Sequence, residues 1–244
     1  MPRRPRWFLP NQPLHVIQRG NNRQACFFAD EDYRFYLDWL LEGARRYGCD
    51  IHAWVLMTNH VHLLLTPRDG DAVSRLMQSL GRRYVQYVNR TYRRSGTLWE
   101  GRFKASAVQA EDYLLRVYRY IELNPVRAGM VADPSEYRWS SYRCNGLGVA
   151  DALVAPHERY LALGLEADER RAAYRGLFRS ELETEALAEV RAASNGGLPL
   201  GSERFRAQIA ATLGARLPGP RGRPRKEPKN ERGDGPIQNG LDLQ

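Results

Sequence analysis

Two histidines, His60 and His62, lie in a segment that reads WVLMTNHVHLLL over residues 54–65. The pattern predicts two strands joined by a turn at Thr58 and Asn59, because Asn is a common turn residue. Side chains alternate between the two faces of a strand, so both imidazoles would point to the same side. Neutral imidazole is a common ligand of divalent metals, and the pair could hold one ion. Two ordinary histidines on a half-exposed strand would give the same pattern.

A tyrosine and an asparagine stand four residues apart in a second segment, VYRYIELNP over residues 117–125. The segment is typical of the last turns of a helix that Pro125 ends. Positions i and i+4 share one helix face, so Tyr120 and Asn124 would point the same way. A phenol, an amide oxygen and the two imidazoles could then surround one cation. Tyr118, the other tyrosine of this segment and the alternative for any role that Tyr120 has, lies about 200° around the helix from Tyr120, so both cannot face the same ion.

Four motifs follow one another along the chain in a fixed order. They read QRGNNR at 18–23, NHVH at 59–62, LWEGRF at 98–103 and YIELNPVRAG at 120–129. In this order and at these spacings they resemble the HUH single-strand transposases, and more closely the IS200-like, REP-associated tyrosine transposases. The resemblance covers about residues 12–145.

The resemblance implies an enzyme that nicks and rejoins single-stranded DNA, with hairpin-forming substrates that carry a flanking single strand. Tyr120 would be the nucleophile, and attack by its phenolate would give a 5′-phosphotyrosine link and free a 3′-OH. His60, His62 and Asn124 would hold a divalent ion that neutralises a phosphodiester oxygen. Mg²⁺ prefers oxygen ligands and Mn²⁺ tolerates imidazole better, so either ion fits this set.

Two other functions stay open at this point. One is a non-catalytic regulator that binds DNA or RNA on the same fold. The other is a rolling-circle replication initiator or relaxase, which shares the histidine pair but often brings a helicase, and the chain contains no P-loop sequence.

Basic residues outnumber acidic ones, with 37 Lys and Arg against 28 Asp and Glu and a net charge of +9. This excess indicates a polyanionic partner, and nucleic acid is the usual one. The candidate DNA contacts in the folded part are Arg19, Asn21, Asn22 and Arg23 in a polar loop, Arg82 and Arg83 on a helix, and Arg102 in the third motif. We expect the backbone amides of the polar loop to be free to meet phosphate. Trp99 and Phe103 could stack on unpaired bases or belong to the core.

The predicted order of elements is strand, helix, strand, strand, helix, strand and helix, which is typical of a ferredoxin-like α+β sandwich. We expect an antiparallel sheet with helices on one face and the histidine pair on a central strand, and the resemblance implies the same fold. Strands are predicted over 14–18, 49–57 and from 60, with Ile51, Ala53, Val55 and Met57 on one face of the second. Helices are predicted over about 31–47 and 72–94 and up to Asn124.

The sequence also predicts the roles of three single residues in these elements. Asp30 is expected to cap the first helix at its start, and Gly48 to end it. His15 is interpreted as an ordinary residue of the first strand and not as a ligand.

The chain divides into a basic N-terminal arm at 1–13, the transposase-like domain at 14–145, a helical appendage at 146–215 and a basic disordered tail at 216–244. The appendage could position DNA or cover the flank of the core. The tail contains PRGRPRK at 220–226 and resembles an AT-hook. Its arginines, Arg221, Arg223 and Arg225, would enter the narrow minor groove of A·T-rich DNA.

The three cysteines have no metal-type spacing and an odd count, which indicates reduced thiols in the cytosol. The chain has neither a signal peptide nor an apolar segment of about 18 residues. We therefore expect a cytoplasmic, nucleoid-associated protein that does not bind membranes. The sequence leaves a monomer and a homodimer equally open.

Overall fold

The structure of the protein, a computed structural model, describes residues 8–180 and 182–214. Part of the basic arm, residues 1–7, lies outside the described residues. So does the whole tail at 216–244, including Arg221, Arg223 and Arg225 of the AT-hook-like segment. Within the two described ranges, no helix combines the length and the apolar character needed to span a bilayer.

Four strands form one antiparallel sheet in the order β2-β3-β1-β4. They are β1 (Leu14–Arg19), β2 (Cys49–Met57), β3 (His60–Pro67) and β4 (Lys104–Ala107). This order is that of the ferredoxin-like sandwich, so the predicted α+β class is confirmed. The histidine pair begins β3, which lies between β1 and β2 as a central strand, as expected.

Helices connect the strands and follow them. They are α1 (Asp30–Tyr47), α2 (Ala72–Thr91), α3 (Ala110–Glu122), α4 (Asn124–Arg127), α5 (Tyr142–Leu147), α6 (Glu158–Leu161), α7 (Ala167–Gly176), α8 (Thr184–Gly196) and α9 (Glu203–Thr212). Short 3-10 turns occur at Asn21–Arg23 and Pro134–Glu136.

Helices cover both faces of the sheet, and the expectation that they lie on one face is wrong for α3. On the first face, α1 and α2 pack against Leu63 and Leu65 of β3. On the opposite face, Leu64 belongs to a second cluster with Val117 and Ile121 of α3. Because the central strand is apolar on both sides, each face needs a helical cover. We call these the α1–α2 face and the α3 face.

A bulge in β2 changes which residues share a face. Ile51 pairs with Leu65 and Ala53 pairs with Leu64, so His52 is the extra residue between them. Ile51 therefore packs on the α1–α2 face, and the prediction that it shares a face with Ala53, Val55 and Met57 is wrong.

The start of α1 differs from the prediction in the residue that caps it. The carboxylate of Asp32 accepts the backbone N–H groups of Phe28 and Ala29 at 2.7 and 3.0 Å, in place of the expected Asp30 cap. Asp30 instead pairs with Arg138 on the surface. The end of α1 is as predicted, because Gly48 adopts the left-handed conformation with φ of 68°.

The appendage is helical, as predicted, and it packs directly on the α3 face. Tyr160, Tyr174 and Val190 belong to the same hydrophobic cluster as α3. The buried carboxylate of Glu122 at the end of α3 also accepts a hydrogen bond from the Tyr174 hydroxyl at 2.5 Å. The appendage therefore helps to fix the helix that carries Tyr120.

Candidate active site

A cavity of about 250 Å³ opens on the α3 face, where β3, α3, α4 and α8 meet. His60 and His62 reach it from β3, Tyr120 from α3 and Asn124 from α4. The four residues predicted to surround one cation thus share one cavity. Tyr118 is fully buried and stacks on Tyr160, at a ring-centroid distance of 6.2 Å.

A break between α3 and α4 places Asn124 beside Tyr120. Leu123 has φ of −83° and ψ of 0°, and α4 starts at the next residue. The Asn124 amide nitrogen donates to the Tyr120 carbonyl oxygen at 3.3 Å, and Arg127 Nη2 donates to the same oxygen at 2.7 Å. These two side chains tie the short helix to the end of α3.

The imidazole of His60 is held by Asn59. His60 Nδ1 lies 2.6 Å from Asn59 Oδ1, while the Asn59 amide nitrogen donates to the Arg23 carbonyl at 3.0 Å. A carbonyl can only accept, so the second contact fixes the orientation of the amide. Its oxygen must then accept a hydrogen bond from His60 Nδ1–H, which leaves the lone pair of Nε2 free.

The free nitrogen of His60 and the oxygen of Asn124 could hold a cation in the cavity that both residues line. The Asn124 nitrogen is already used by the Tyr120 carbonyl, so its oxygen is left to accept. His62 adds a second imidazole at a ring-centroid distance of 5.0 Å from His60. Two neutral nitrogens and one oxygen form a set that fits Mn²⁺ or Mg²⁺. Throughout the described ranges, this site included, no three His, Cys, Asp or Glu side chains cluster for a metal, so the third ligand here would be the amide of Asn124.

Both histidines of the pair are neutral at neutral pH. Burial lowers the pKa of His60 to about 4, and it lowers the pKa of His62 well below its usual value, because desolvation disfavours the charged form. The positive charges of Arg19 and Arg127 add to this effect at both rings. Neutral imidazole is the form that binds metal.

A third histidine, His15, makes a hydrogen bond with His62. His15 Nε2 lies 2.9 Å from His62 Nδ1, and His15 Nδ1 lies 2.9 Å from the hydroxyl of Ser194 on α8. Ile17 pairs with His62 across the β1–β3 ladder, which makes His15 the diagonal neighbour of His62. The interpretation of His15 as an ordinary strand residue missed this contact, because the sequence does not give the register of the two strands.

Arginines make the cavity strongly cationic, and two of them were not predicted. Arg19, Arg127 and Arg191 line it, and none of its described lining residues is acidic. The Arg127 guanidinium carbon lies 4.5 Å from the centroid of the Tyr120 ring, and burial lowers the Arg127 pKa to about 10. Arg127 Nη1 is buried without a hydrogen-bond partner. Arg127 follows Tyr120 by seven residues, about two helical turns, and this spacing could have indicated that the two side chains lie on the same side.

Arg19 and Arg102 are the predicted contacts that lie closest to the site. They line a pocket of about 120 Å³ that adjoins the cavity and shares Arg19 with it, together with Lys104 and the acidic Glu100. The other three residues of the predicted loop line neither pocket. Asn21 is half-buried, and Asn22 and Arg23 are exposed. The expectation that the loop amides are free is wrong for three of them. The N–H groups of Gly20, Asn21 and Arg23 donate to the carbonyls of Asn59, Leu98 and Gly20.

Other predicted contacts lie away from the cavity. Arg82 and Arg83 belong to α2 on the α1–α2 face, and Arg83 pairs with Glu42 at 2.5 Å. Trp99 and Phe103 are buried in the cluster of that face, where Trp99 stacks on a neighbouring tyrosine ring. They are core aromatics, and their alternative role in base stacking is wrong.

Comparison with known proteins shows which family part of this chain resembles. The family model described as "Transposase IS200 like" matches residues 9–124. Residues 9–124 are therefore similar to the IS200-like transposases. The matched segment ends at Asn124, so Arg127 and the whole of α8 lie beyond it.

Solved structures give further matches. The structure of a REP-associated tyrosine transposase bound to a REP hairpin matches with a TM-score of 0.53 and 20% identity, over 64% of this chain and 93% of that chain. A crystal structure of a candidate transposase from Deinococcus radiodurans R1 matches with a TM-score of 0.35 and 25% identity, over 50% of this chain and 96% of that chain. None of the curated proteins matches this chain.

Proposed function

We propose that this protein is a REP-associated tyrosine transposase that nicks and rejoins single-stranded DNA through a 5′-phosphotyrosine intermediate. The observation that carries the proposal is the convergence of Tyr120, His60, His62 and Asn124 in one cavity of an IS200-like transposase domain. These residues come from β3, α3 and α4, and they supply a nucleophile and a set of neutral ligands at one place.

Tyr120 is the nucleophile in this proposal. Its phenolic oxygen forms a bond to phosphorus while the bond from phosphorus to the 3′-oxygen breaks. The phenolic proton leaves to solvent, and the departing 3′-oxygen takes up a proton to become a 3′-OH. One phosphoester replaces another, so attack by a second 3′-OH can reverse the step without ATP.

The other side chains of the cavity prepare this step. His60, His62 and Asn124 would hold Mg²⁺ or Mn²⁺, which would neutralise a non-bridging oxygen of the scissile phosphate. The guanidinium of Arg127 lies over the Tyr120 ring and puts a positive charge beside the nucleophile. Its unpartnered Nη1 is a donor for a phosphate oxygen, and such charge-assisted bonds are among the stronger hydrogen bonds.

Hairpin DNA with a single-stranded flank is the proposed substrate. The REP-associated transposase of similar fold is bound to a REP hairpin, which supports this choice. The pocket with Arg19, Arg102 and Lys104 adjoins the cavity, and it offers cations to the phosphates of a strand that enters the site. Binding of A·T-rich minor grooves by the segment with Arg221, Arg223 and Arg225 is a separate proposal that needs its own test.

The direct test is a denaturing gel of wild type, Tyr120→Phe and Tyr118→Phe after incubation with labelled hairpin oligonucleotides and Mn²⁺. We expect a covalent protein–DNA band that only Tyr120→Phe loses. Tyr118→Phe is the matched control, because Tyr118 lies on the same helix but outside the cavity. Loss of the band only in Tyr118→Phe would refute the assignment of the nucleophile. Tight binding of hairpins with no cleavage in any lane would instead support a non-catalytic regulator.

A further inference from the structure

The two histidines of the cavity are supported in different ways. Asn59 can only accept from His60, because its amide orientation is fixed by the Arg23 carbonyl. His62 is instead held by His15, and His15 by Ser194. An imidazole and a hydroxyl can each donate or accept, so this chain of hydrogen bonds can run in either direction.

Only one direction leaves His62 able to bind a metal. If His62 Nδ1 donates to His15 Nε2, and His15 Nδ1 donates to the Ser194 oxygen, the Nε2 lone pair of His62 faces the cavity. In the opposite direction, the Ser194 hydroxyl donates to His15, and His15 donates to His62. His62 then carries its proton on Nε2 and has no lone pair to offer there.

The surroundings of His62 favour the first direction. The positive charges of Arg19 and Arg127 act on His62 at the cavity, and they attract a lone pair but repel an N–H dipole. At the other end of the chain of hydrogen bonds, the hydroxyl oxygen of Ser194 on α8 can accept from His15 Nδ1.

We propose that Ser194 and His15 are positioning residues that hold His62 in the tautomer with an unprotonated Nε2. This inference rests on the proposed role of His62 as a ligand. It makes α8 part of the active site, although α8 lies outside residues 9–124 that the family model matches. Hydrogen-bond partners of ligating histidines fix the tautomer and ring orientation, and losing one typically weakens metal binding about 10- to 100-fold.

The test uses the full chain without DNA and has two readouts. Long-range ¹H–¹⁵N spectra of histidine-labelled protein report each tautomer, and the chain has only 5 histidines to assign. Mn²⁺ titration followed by electron paramagnetic resonance gives the affinity. We expect unprotonated Nε2 at His62 in the wild type. Ser194→Ala should shift His62 towards the other tautomer and weaken Mn²⁺ binding about 10-fold.

Conservative variants separate positioning from a loss of structure. Ser194→Thr keeps the hydroxyl, and His15→Gln keeps an acceptor for His62, so both should retain the His62 tautomer, whereas His15→Phe should lose it. His52→Phe is the matched control. His52 is another buried histidine of the sheet, but it bonds Thr66 and the Ala155 carbonyl, so its loss should leave Mn²⁺ affinity unchanged.

A protonated Nε2 at His62 in the wild type would overturn the inference. So would an unchanged tautomer and unchanged Mn²⁺ affinity in both Ser194→Ala and His15→Phe. Neither readout requires DNA cleavage. The absence of a covalent adduct would therefore refute the proposed function, while the spectra would still decide the inference about His15 and Ser194.

Discussion

The two faces of the sheet share the same strands but differ in how one buried charged group of each face is paired. On the α1–α2 face, the Asp32 carboxylate accepts from two backbone amides and from the hydroxyls of Tyr87 and Tyr92. On the α3 face, Arg127 lines the cavity and keeps a buried nitrogen without a partner beside Tyr120. The α1–α2 face also has unpaired buried atoms, Tyr36 Oη and Trp99 Nε1, but these belong to uncharged side chains in the core. We infer that one face supplies stability and the other supplies chemistry.

Arg127→Met is expected to have the largest effect, and it acts on the α3 face. It removes the positive charge beside Tyr120 but keeps a long side chain. Loss of one such preorganised donor typically lowers the rate about 10²- to 10³-fold, or roughly 3 to 4 kcal/mol. The rate of covalent adduct formation measures this. Arg116→Met on the exposed side of α3 is the control, and an equal loss in both variants would remove Arg127 from the site.

Leu63→Ala tests the α1–α2 face one residue away from His62. Leu63 is fully buried, so its truncation should lower the free energy of unfolding by about 3 kcal/mol through lost packing and a cavity. Denaturant unfolding measures the loss. The folded fraction should form the covalent adduct at the rate of the wild type, and a large loss of that rate would contradict the separation of the two faces.

Glu122 links the α3 face to the appendage and predicts a pH dependence of stability. Burial raises its pKa from 4.5 to about 7, against the hydrogen bonds from Ser141, Tyr174 and Asn145. A raised pKa means that the folded protein favours the neutral carboxyl. Its contribution to the free energy of unfolding is therefore fully present below pH 4.5 and is lost as pH rises through 7. The free energy of unfolding changes by about 3 kcal/mol over this range.

Glu122→Gln should remove the pH dependence of stability that the Glu122 carboxyl causes. The buried histidines have lowered pKa values and make an opposite contribution, so the difference between wild type and variant isolates Glu122. We expect the variant to gain stability relative to the wild type between pH 4.5 and 7, as measured by thermal unfolding. A difference that does not change across this range would show that the carboxyl titrates normally.

The smallest expected effect concerns DNA binding at the surface. Arg102→Gln, beside the cavity, should weaken hairpin binding a few-fold. It should also lower the slope of log affinity against log salt concentration by about one, which corresponds to one lost phosphate contact. Arg82→Gln, on the α1–α2 face, should change neither quantity. Fluorescence anisotropy at several salt concentrations measures both. Equal losses in the two variants would mean that DNA also contacts α2, as the sequence analysis predicted.

Local spacing was enough to predict that four of the residues lining the cavity lie together. Alternation along a strand puts His60 and His62 on one side, and helical spacing puts Tyr120 and Asn124 together, although a break separates α3 from α4. The order of elements also predicted the strand order of the sheet. These features depend on neighbours within a few residues or on a common topology.

Contacts between distant segments could not be predicted. His15 meets His62 only because of the β1–β3 register, and Ser194 joins them from a helix 179 residues further along the chain than His15. The sequence left open whether Trp99 stacks on bases or belongs to the core, and only its contact with α2 decides for the core. The bulge at His52 also could not be predicted from an alternating pattern. Its extra residue places the strand residues before it on the opposite face from the one that alternation predicts.

The most direct test of the central claim is mass spectrometry of the adduct that the wild-type protein forms with a hairpin oligonucleotide and Mn²⁺. After nuclease and protease digestion, we predict that the peptide containing Tyr120 carries the 5′-phosphate of the downstream strand, and that the upstream strand ends in a 3′-OH. DNA cleavage without an adduct would mean that water is the nucleophile. An adduct on any other residue would contradict the assignment of the α3 face as a tyrosine transferase site.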